Sequence, residues 1–137
     1  MLLMHPGVCL GYRLEYSGRS VAYITDNELY IPDAQNCADE YLNELAAFLA
    51  GVDLLITDTT YTDKEYPQRI GWGHSSVSQV ARLAHTAGVK RLCLFHHDPQ
   101  QTDADIDNKL QAMIDALAAL GSAVECVAPA ERDELRV

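Results

Sequence analysis

Chemistry in this sequence gathers on its histidines. Of the five, His5 stands ahead of the first strand pattern, His74 just before a helix, and His96 and His97 just after a strand. His85 lies inside a helical pattern between Ala84 and Thr86, and no role is expected of it. Asp26 sits at the tip of another strand, followed by Asn27 and Glu28. Taken singly, each has an ordinary explanation: a loop histidine is solvated or structural, and a strand-end aspartate forms an Asx-turn. Together, His5, Asp26, His74 and His96 make up the imidazole-plus-carboxylate set that binds zinc or a similar divalent metal. Such a metal lowers the pKa of bound water towards about 7 and supplies hydroxide at neutral pH. No Gly-rich phosphate loop, Gly-x-Ser-x-Gly elbow or His-Glu-x-x-His helix is present.

The elements that must position these groups follow from pattern. Alternation from Leu10 to Tyr16, the turn signal Ser17-Gly18 and the run Arg19–Thr25 predict a hairpin that delivers Asp26. A helix is expected over 38–50, with Tyr41, Leu42, Leu45, Ala46 and Leu49 on one face and Gly51 as its stop. A short buried strand, Asp53–Thr57, then delivers Asp58. Residues 59–73 are turn-rich and aromatic, with Tyr61, Tyr66 and Trp72, and read either as a substrate wall or as a loop packed down by its own rings. Ser76 with Gln79 forms a capping box. Val77, Val80, Ala81, Ala84 and Ala87 keep helical spacing up to Gly88, and Val89–Phe95 reads as a strand. Thr102 or Asp103 caps a last helix whose stripe is Ile106, Leu110, Met113, Ile114, Leu117 and Leu120. Gly121 ends it, and Ser122–Val127 forms a final strand before a charged tail over 129–137. The order of hairpin, then α, β, α, β, α, β predicts one α/β domain with helices on a mixed sheet. In such folds ligands gather beyond the carboxyl ends of strands, where these histidines fall.

Composition narrows the function. The 137 residues suit a single domain, and a formal charge of −10 argues against nucleic-acid binding, which depends on Lys and Arg against phosphates. No apolar run approaches the roughly 20 residues that cross a bilayer. Met1-Leu-Leu-Met4 is followed at once by His5-Pro6, which is no signal-peptide core. Cys9, Cys37, Cys93 and Cys126 form no Cys-x-x-Cys pair. They are expected to be free thiols in a reducing cytoplasm rather than a zinc–thiolate site.

Four motifs in order resemble the C-terminal half of a metallo-β-lactamase-fold hydrolase, in the branch that contains ribonuclease Z and the cyclic-phosphate phosphodiesterases. They are His5 ahead of Gly11-Tyr12-Arg13, Asp26 closing Tyr-Ile-Thr-Asp, Gly73-His74-Ser75, and His96 closing Leu94-Phe95-His96. The resemblance implies half of an αββα sandwich. It further implies a two-metal site in which His5 holds one metal, His96 the other and Asp26 bridges them, while His74 donates a proton. His97 and Asp98 would support the ligands from behind, and the substrate would be a small phosphodiester. Asn27 stands where such sequences often carry Thr. The family's main metal motif, His-x-His-x-Asp-His, has no match in this sequence. That leaves two protein ligands per metal, against the three a catalytic zinc normally keeps.

The resemblance therefore implies an exposed apolar sheet face, filled by a homodimer partner or by an N-terminal half, and little hydrolysis by this polypeptide alone. A non-catalytic dimerising module that retains the family's residues is the alternative. A phosphoacceptor receiver domain centred on Asp58 is a third reading, although its later strand would have to end in Lys rather than His96-His97.

Overall fold

The computed structural model describes residues 1–29 and 35–137. A hairpin, β1 (Tyr12–Tyr16) and β2 (Arg19–Ile24), is followed by α1 (Gln35–Phe48), β3 (Leu54–Asp58), α2 (Val77–Ala87), β4 (Arg91–Phe95), α3 (Asp103–Ala119) and β5 (Glu125–Val127). A turn of 3-10 helix covers Tyr66–Gln68. The strands lie in one sheet in chain order, β1-β2-β3-β4-β5, antiparallel at the hairpin and parallel elsewhere. This is the mixed α/β sheet expected, with boundaries shifted by a few residues: α1 begins earlier than 38, and β4 and β5 begin later than Val89 and Ser122. The side chains of residues 35–39, Cys37 among them, lie outside the described residues.

Sequential strand order has a consequence. Parallel crossovers share one hand, so three of them moving in one direction put α1, α2 and α3 on the same face. Alternation along the strands then separates the two faces. Ala22, Ile24, Leu55, Leu92 and Leu94 point at the helices and are almost fully buried. They pack with Leu45, Leu49, Val80, Ala84, Met113 and Leu117. The register rows of the opposite face begin with Tyr12 beside Tyr23 and Leu14 beside Val21, and there Tyr12, Leu14, Tyr16, Tyr23 and Phe95 are exposed.

Local chemistry fixes the frame. The Gly11-Tyr12-Arg13 motif sends Arg13 to the helix side, where its guanidinium donates to the Phe48 and Ala50 carbonyls at 2.8 and 3.2 Å and caps the end of α1. Asp53, just before β3, accepts from the Ser20 backbone N–H and from Lys90 Nζ, tying the starts of three strands; those bonds hold its carboxyl well below the usual range. The Ser76–Gln79 capping box opens α2, and Gly88 closes it in the left-handed region. The last helix departs from expectation. Ile114 and Leu120 are exposed, while Lys109 is 1 % exposed and donates to the Thr60 carbonyl and to Gln101 Oε1 at 3.1 and 2.6 Å. One turn of the stripe is thus given to a polar anchor that fixes Thr60, and a period count cannot distinguish that from solvent exposure. No helix among the described residues is long and apolar enough to cross a membrane.

Candidate metal centre

Three parallel strands end side by side, and each ends in chemistry: β2 leads into Asp26, β3 ends on Asp58, and β4 leads into His96. His74 arrives from the loop before α2. Donor atoms of Asp26, Asp58, His74 and His96 all lie within 4.8 Å of one another.

Asp58 is the residue whose part here the sequence left unread. It is fully buried, and its carboxylate accepts from Asn27 N–H at 3.2 Å, from Thr60 N–H at 3.1 Å and from His74 Nδ1 at 2.6 Å. With its oxygens so engaged it positions neighbours rather than offering itself to a ligand. A sealed carboxylate also cannot act as a phosphoacceptor. A receiver domain would need strand order 2-1-3-4-5, against the order and antiparallel edge found here, so that reading is set aside. The pairing holds His74 by Nδ1. The Asp58 hydrogen bond, opposed in part by burial, raises the His74 pKa above its ordinary value.

Asp26 and His96 are held in a second way. Their backbones lie in the left-handed region, at φ 54° and 55°, uncommon for residues other than glycine. The two side chains meet there, His96 Nε2 lying 3.0 Å from Asp26 Oδ1. Outliers at functional sites persist when the surroundings enforce them, and Thr60 does so for His96. Its hydroxyl lies 2.7 Å from Asp58 Oδ1, 2.6 Å from the His96 carbonyl and 3.1 Å from His96 Nδ1. The one hydroxyl proton goes to one of these acceptors, and the contacts tie the ring and backbone of His96 to Asp58. A 3.0 Å imidazole–carboxylate contact is satisfied by a proton on Nε2 or by a cation, and the pair is a fitting donor set for zinc.

The loop over 59–73 is packed by its own groups. Tyr61 and Tyr66 are buried, and Glu28, 4 % exposed, accepts from the Tyr66 hydroxyl and from the N–H groups of Gly71 and Gly73, each at 2.8 Å. Trp72 stays exposed with the Arg69 guanidinium 4.5 Å above its ring. Gly73 has to be glycine on two counts. Its φ is 89°, and a Cβ there would stand 2.2 Å from His5 Cδ2 and 2.7 Å from Pro6 Cδ. That close approach brings His5 against His74, with ring centroids 5.6 Å apart, while His74 stacks on His96 at 4.8 Å. Asn27 joins the remaining parts. Its side chain accepts from Met4 N–H and from the Tyr41 hydroxyl, and its carbonyl accepts from Ser75 Oγ at 2.5 Å. A threonine could not accept both of the first two bonds while reaching as far.

His97 and Asp98 make no hydrogen bond to His5, Asp26 or His96 among the described residues. Asp98 Oδ1 accepts from Gln100 N–H at 2.8 Å and turns the chain. Buried His97 Nδ1 finds no partner among the described residues, and burial, then the charge of Lys109, pushes the His97 pKa down to about 4. Glu28, Asn27, Asp58, Thr60 and Lys109 went unread as parts of the site. For Asp58 a signal existed, since it closes a strand between two others that deliver site residues.

Comparison with known proteins agrees with this architecture. The beta-lactamase superfamily domain matches residues 2–97. Ribonuclease Z of Thermoplasma volcanium is 44 % identical over 63 residues, covering 45 % of this chain and 20 % of that protein. Ribonuclease Z of Brevibacillus brevis is 41 % identical over 66 residues, covering 47 % and 20 %. The chain thus spans about a fifth of the length of these curated relatives. Among solved structures, the metallo-beta-lactamase fold protein YhfI from Bacillus subtilis superposes with a TM-score of 0.62 at 18 % identity, over 93 % of this chain and 45 % of that one. A CmlA beta-hydroxylase variant gives 0.53 at 11 % identity, over 85 % and 25 %. With a family domain across most of its length and that family's fold, the chain belongs to the metallo-β-lactamase superfamily.

Proposed function

We propose that this chain forms one wall of the catalytic centre of a zinc-type phosphodiester hydrolase, with Asp26, His96 and His5 toward the metal and His74 as proton donor. The observation that carries the reading is the convergence of ligand atoms from Asp26, Asp58, His74 and His96 within 4.8 Å, with the Asp26 carboxylate 3.0 Å from the His96 ring on left-handed backbones. A bound divalent metal supplies hydroxide near neutral pH and polarises phosphoryl oxygens. The residues of the chain do the rest. Asp58 fixes His74 by Nδ1 and favours its protonated form, so Nε2 carries the proton for the leaving oxygen. Thr60 holds His96 through its ring and its carbonyl, and Glu28 holds the loop that presents His74.

The wall is incomplete without the His-x-His-x-Asp-His motif, so this polypeptide alone turns over little substrate. The test is hydrolysis of bis(p-nitrophenyl) phosphate by zinc-loaded protein. Near-background rates are expected, and robust turnover abolished by His96→Ala would overturn the incompleteness. Failure to bind any divalent metal would overturn the hydrolase reading itself. It would favour a non-catalytic dimerising module, for which the exposed row of Tyr12, Leu14 and Tyr23 is the supporting observation.

A further inference from the structure

We propose that Lys109 is a positioning residue of the metal centre: its ammonium, sent in from α3, clamps Thr60, and through Thr60 it holds His96 where it meets Asp26. The inference rests on the metal-site reading above and extends the site to a side chain sealed from solvent.

Lysine is rarely buried without a charged partner, yet both hydrogen-bond acceptors of Lys109 are neutral: the Thr60 carbonyl at 3.1 Å and Gln101 Oε1 at 2.6 Å. Among the described residues it forms no ion pair, and the carboxylates of Glu65, Asp58 and Asp98 favour its charge from a distance. Taking an ammonium out of water is unfavourable. Met113 and Leu117, one and two turns further along the helix, are apolar and buried. A methionine at position 109 would fill the same place without desolvating a charge. What packing cannot supply is a hydrogen bond to a carbonyl at one chosen point.

That point is where the sheet stops. The β3–β4 ladder runs to Asp58 beside Phe95 and ends with the Thr59 N–H on the Phe95 carbonyl at 3.0 Å. Beyond it, side chains join the two strand ends. Thr60 Oγ1 reaches the His96 carbonyl and ring. Gln101 Nε2 donates to the Thr60 carbonyl at 3.2 Å, and Lys109 closes the triangle by donating to both. Thr60 is thus pinned by its carbonyl while its hydroxyl holds a residue at φ 55°. His96 needs such a hold, because an uncommon backbone conformation persists only where its surroundings enforce it. Without Lys109 the Thr60 carbonyl would keep the Gln101 N–H, and the half-buried Gln101 can turn its Oε1 to water. Removing the ammonium therefore loosens the clamp without leaving a sealed group unpaired.

The experiment is a double-mutant cycle on zinc affinity, measured on the purified full chain by competition with a chromogenic chelator. Thr60→Val should weaken zinc binding by about tenfold, as loss of a metal ligand's partner does. Lys109→Met should weaken it by about fivefold, within the coupling that residues of one hydrogen-bond network show. Its urea midpoint should stay level or rise, since replacing a buried charge by an apolar side chain of like size is neutral or stabilising. Added to Thr60→Val, Lys109→Met should change zinc affinity no further. Unchanged affinity in Lys109→Met overturns the role of Lys109 and leaves the Asp26–His96 reading standing. An equal loss in both backgrounds, or a midpoint that falls in step with affinity, shows structural support alone and overturns it too. Absence of any bound zinc in the unaltered chain overturns both readings. Circular dichroism shows whether each variant is folded. If Lys109→Met is not, Gln101→Ala breaks the same clamp from a half-buried loop position: it should weaken zinc binding with Thr60 in place and not after Thr60→Val, and any other result overturns the proposal.

Discussion

Asp58 and His74, sixteen residues apart in the chain, are joined by a 2.6 Å bond between a fully buried carboxylate and a ring that still reaches solvent. This bond raises the pKa of His74, and the sign of its effect on stability follows. The folded chain holds the His74 proton more tightly than the unfolded one, whose value is about 6.5. The contribution is therefore full below pH 6.5 and is lost as pH rises through the folded value. Asp58→Asn should lower the His74 pKa towards 6.5, followed by NMR of the ring. It should also cost about 1–3 kcal/mol, because buried donors lose a carboxylate partner. Urea unfolding at pH 6 and pH 8.5 should show the larger loss at pH 6; equal losses would mean that the pair does not share the proton in this way.

Glu28 does for the loop what Asp58 does for the ring. Its carboxylate takes two backbone N–H groups and a tyrosine hydroxyl in a buried place. Glu28→Gln keeps the shape but turns a donor amide toward a backbone N–H that can only donate. The amides of Gly71 and Gly73 should lose hydrogen-exchange protection by about tenfold or more, since a bond to a charged acceptor contributes about 1.5–3 kcal/mol. Helix α2 should keep its protection. Unchanged exchange at Gly73 would show that Glu28 does not hold the loop.

His97 predicts an acid sensitivity of the opposite sign. Folded, its pKa is about 4, while the unfolded chain takes a proton near 6.5. Stability from this residue is full above pH 6.5 and falls as pH drops towards 4, because the unfolded state binds the proton first. Lys109, with its pKa lowered by burial to about 8, stays charged across that window and adds no slope there. His97→Asn should flatten the stability profile between pH 6.5 and 4, measured by urea midpoints. A profile parallel to the unaltered chain would remove His97 as the cause.

The elements were legible because their signals are local. A capping box with a terminal glycine marked α2, alternation and Ser17-Gly18 marked the hairpin, and one ordering rule then placed all three helices on one face. His5, Asp26, His74 and His96 could be picked out because boundary positions and residue types are written in the chain. Their supports could not. Asp58 reads as any strand-end carboxylate until β2 and β4 flank it, and Lys109 reads as a solvated lysine until Thr60 and Gln101 cover it. Each depends on contacts between segments far apart in sequence, and no period records those.

The bare sheet face leads to the last prediction. Tyr12, Leu14, Tyr16, Tyr23 and Phe95 stand exposed on the side away from the helices. An apolar patch of contiguous large side chains marks an association surface. The solved fold it matches is about twice as large, since 93 % of this chain accounts for 45 % of that one. Two sheets pack face to face about 10 Å apart through such side chains, and for this polypeptide on its own we propose that the second layer is another copy. Native mass spectrometry and sizing at micromolar concentration should report a dimer. The double variant Leu14→Glu with Tyr23→Glu places like charges on a chain that already carries −10 and should run as a monomer with unchanged circular dichroism, because surface substitutions alter stability by only about 0.5 kcal/mol. A monomeric unaltered chain under these conditions would end the proposal, and a dimer that survives both substitutions would move the interface off this face.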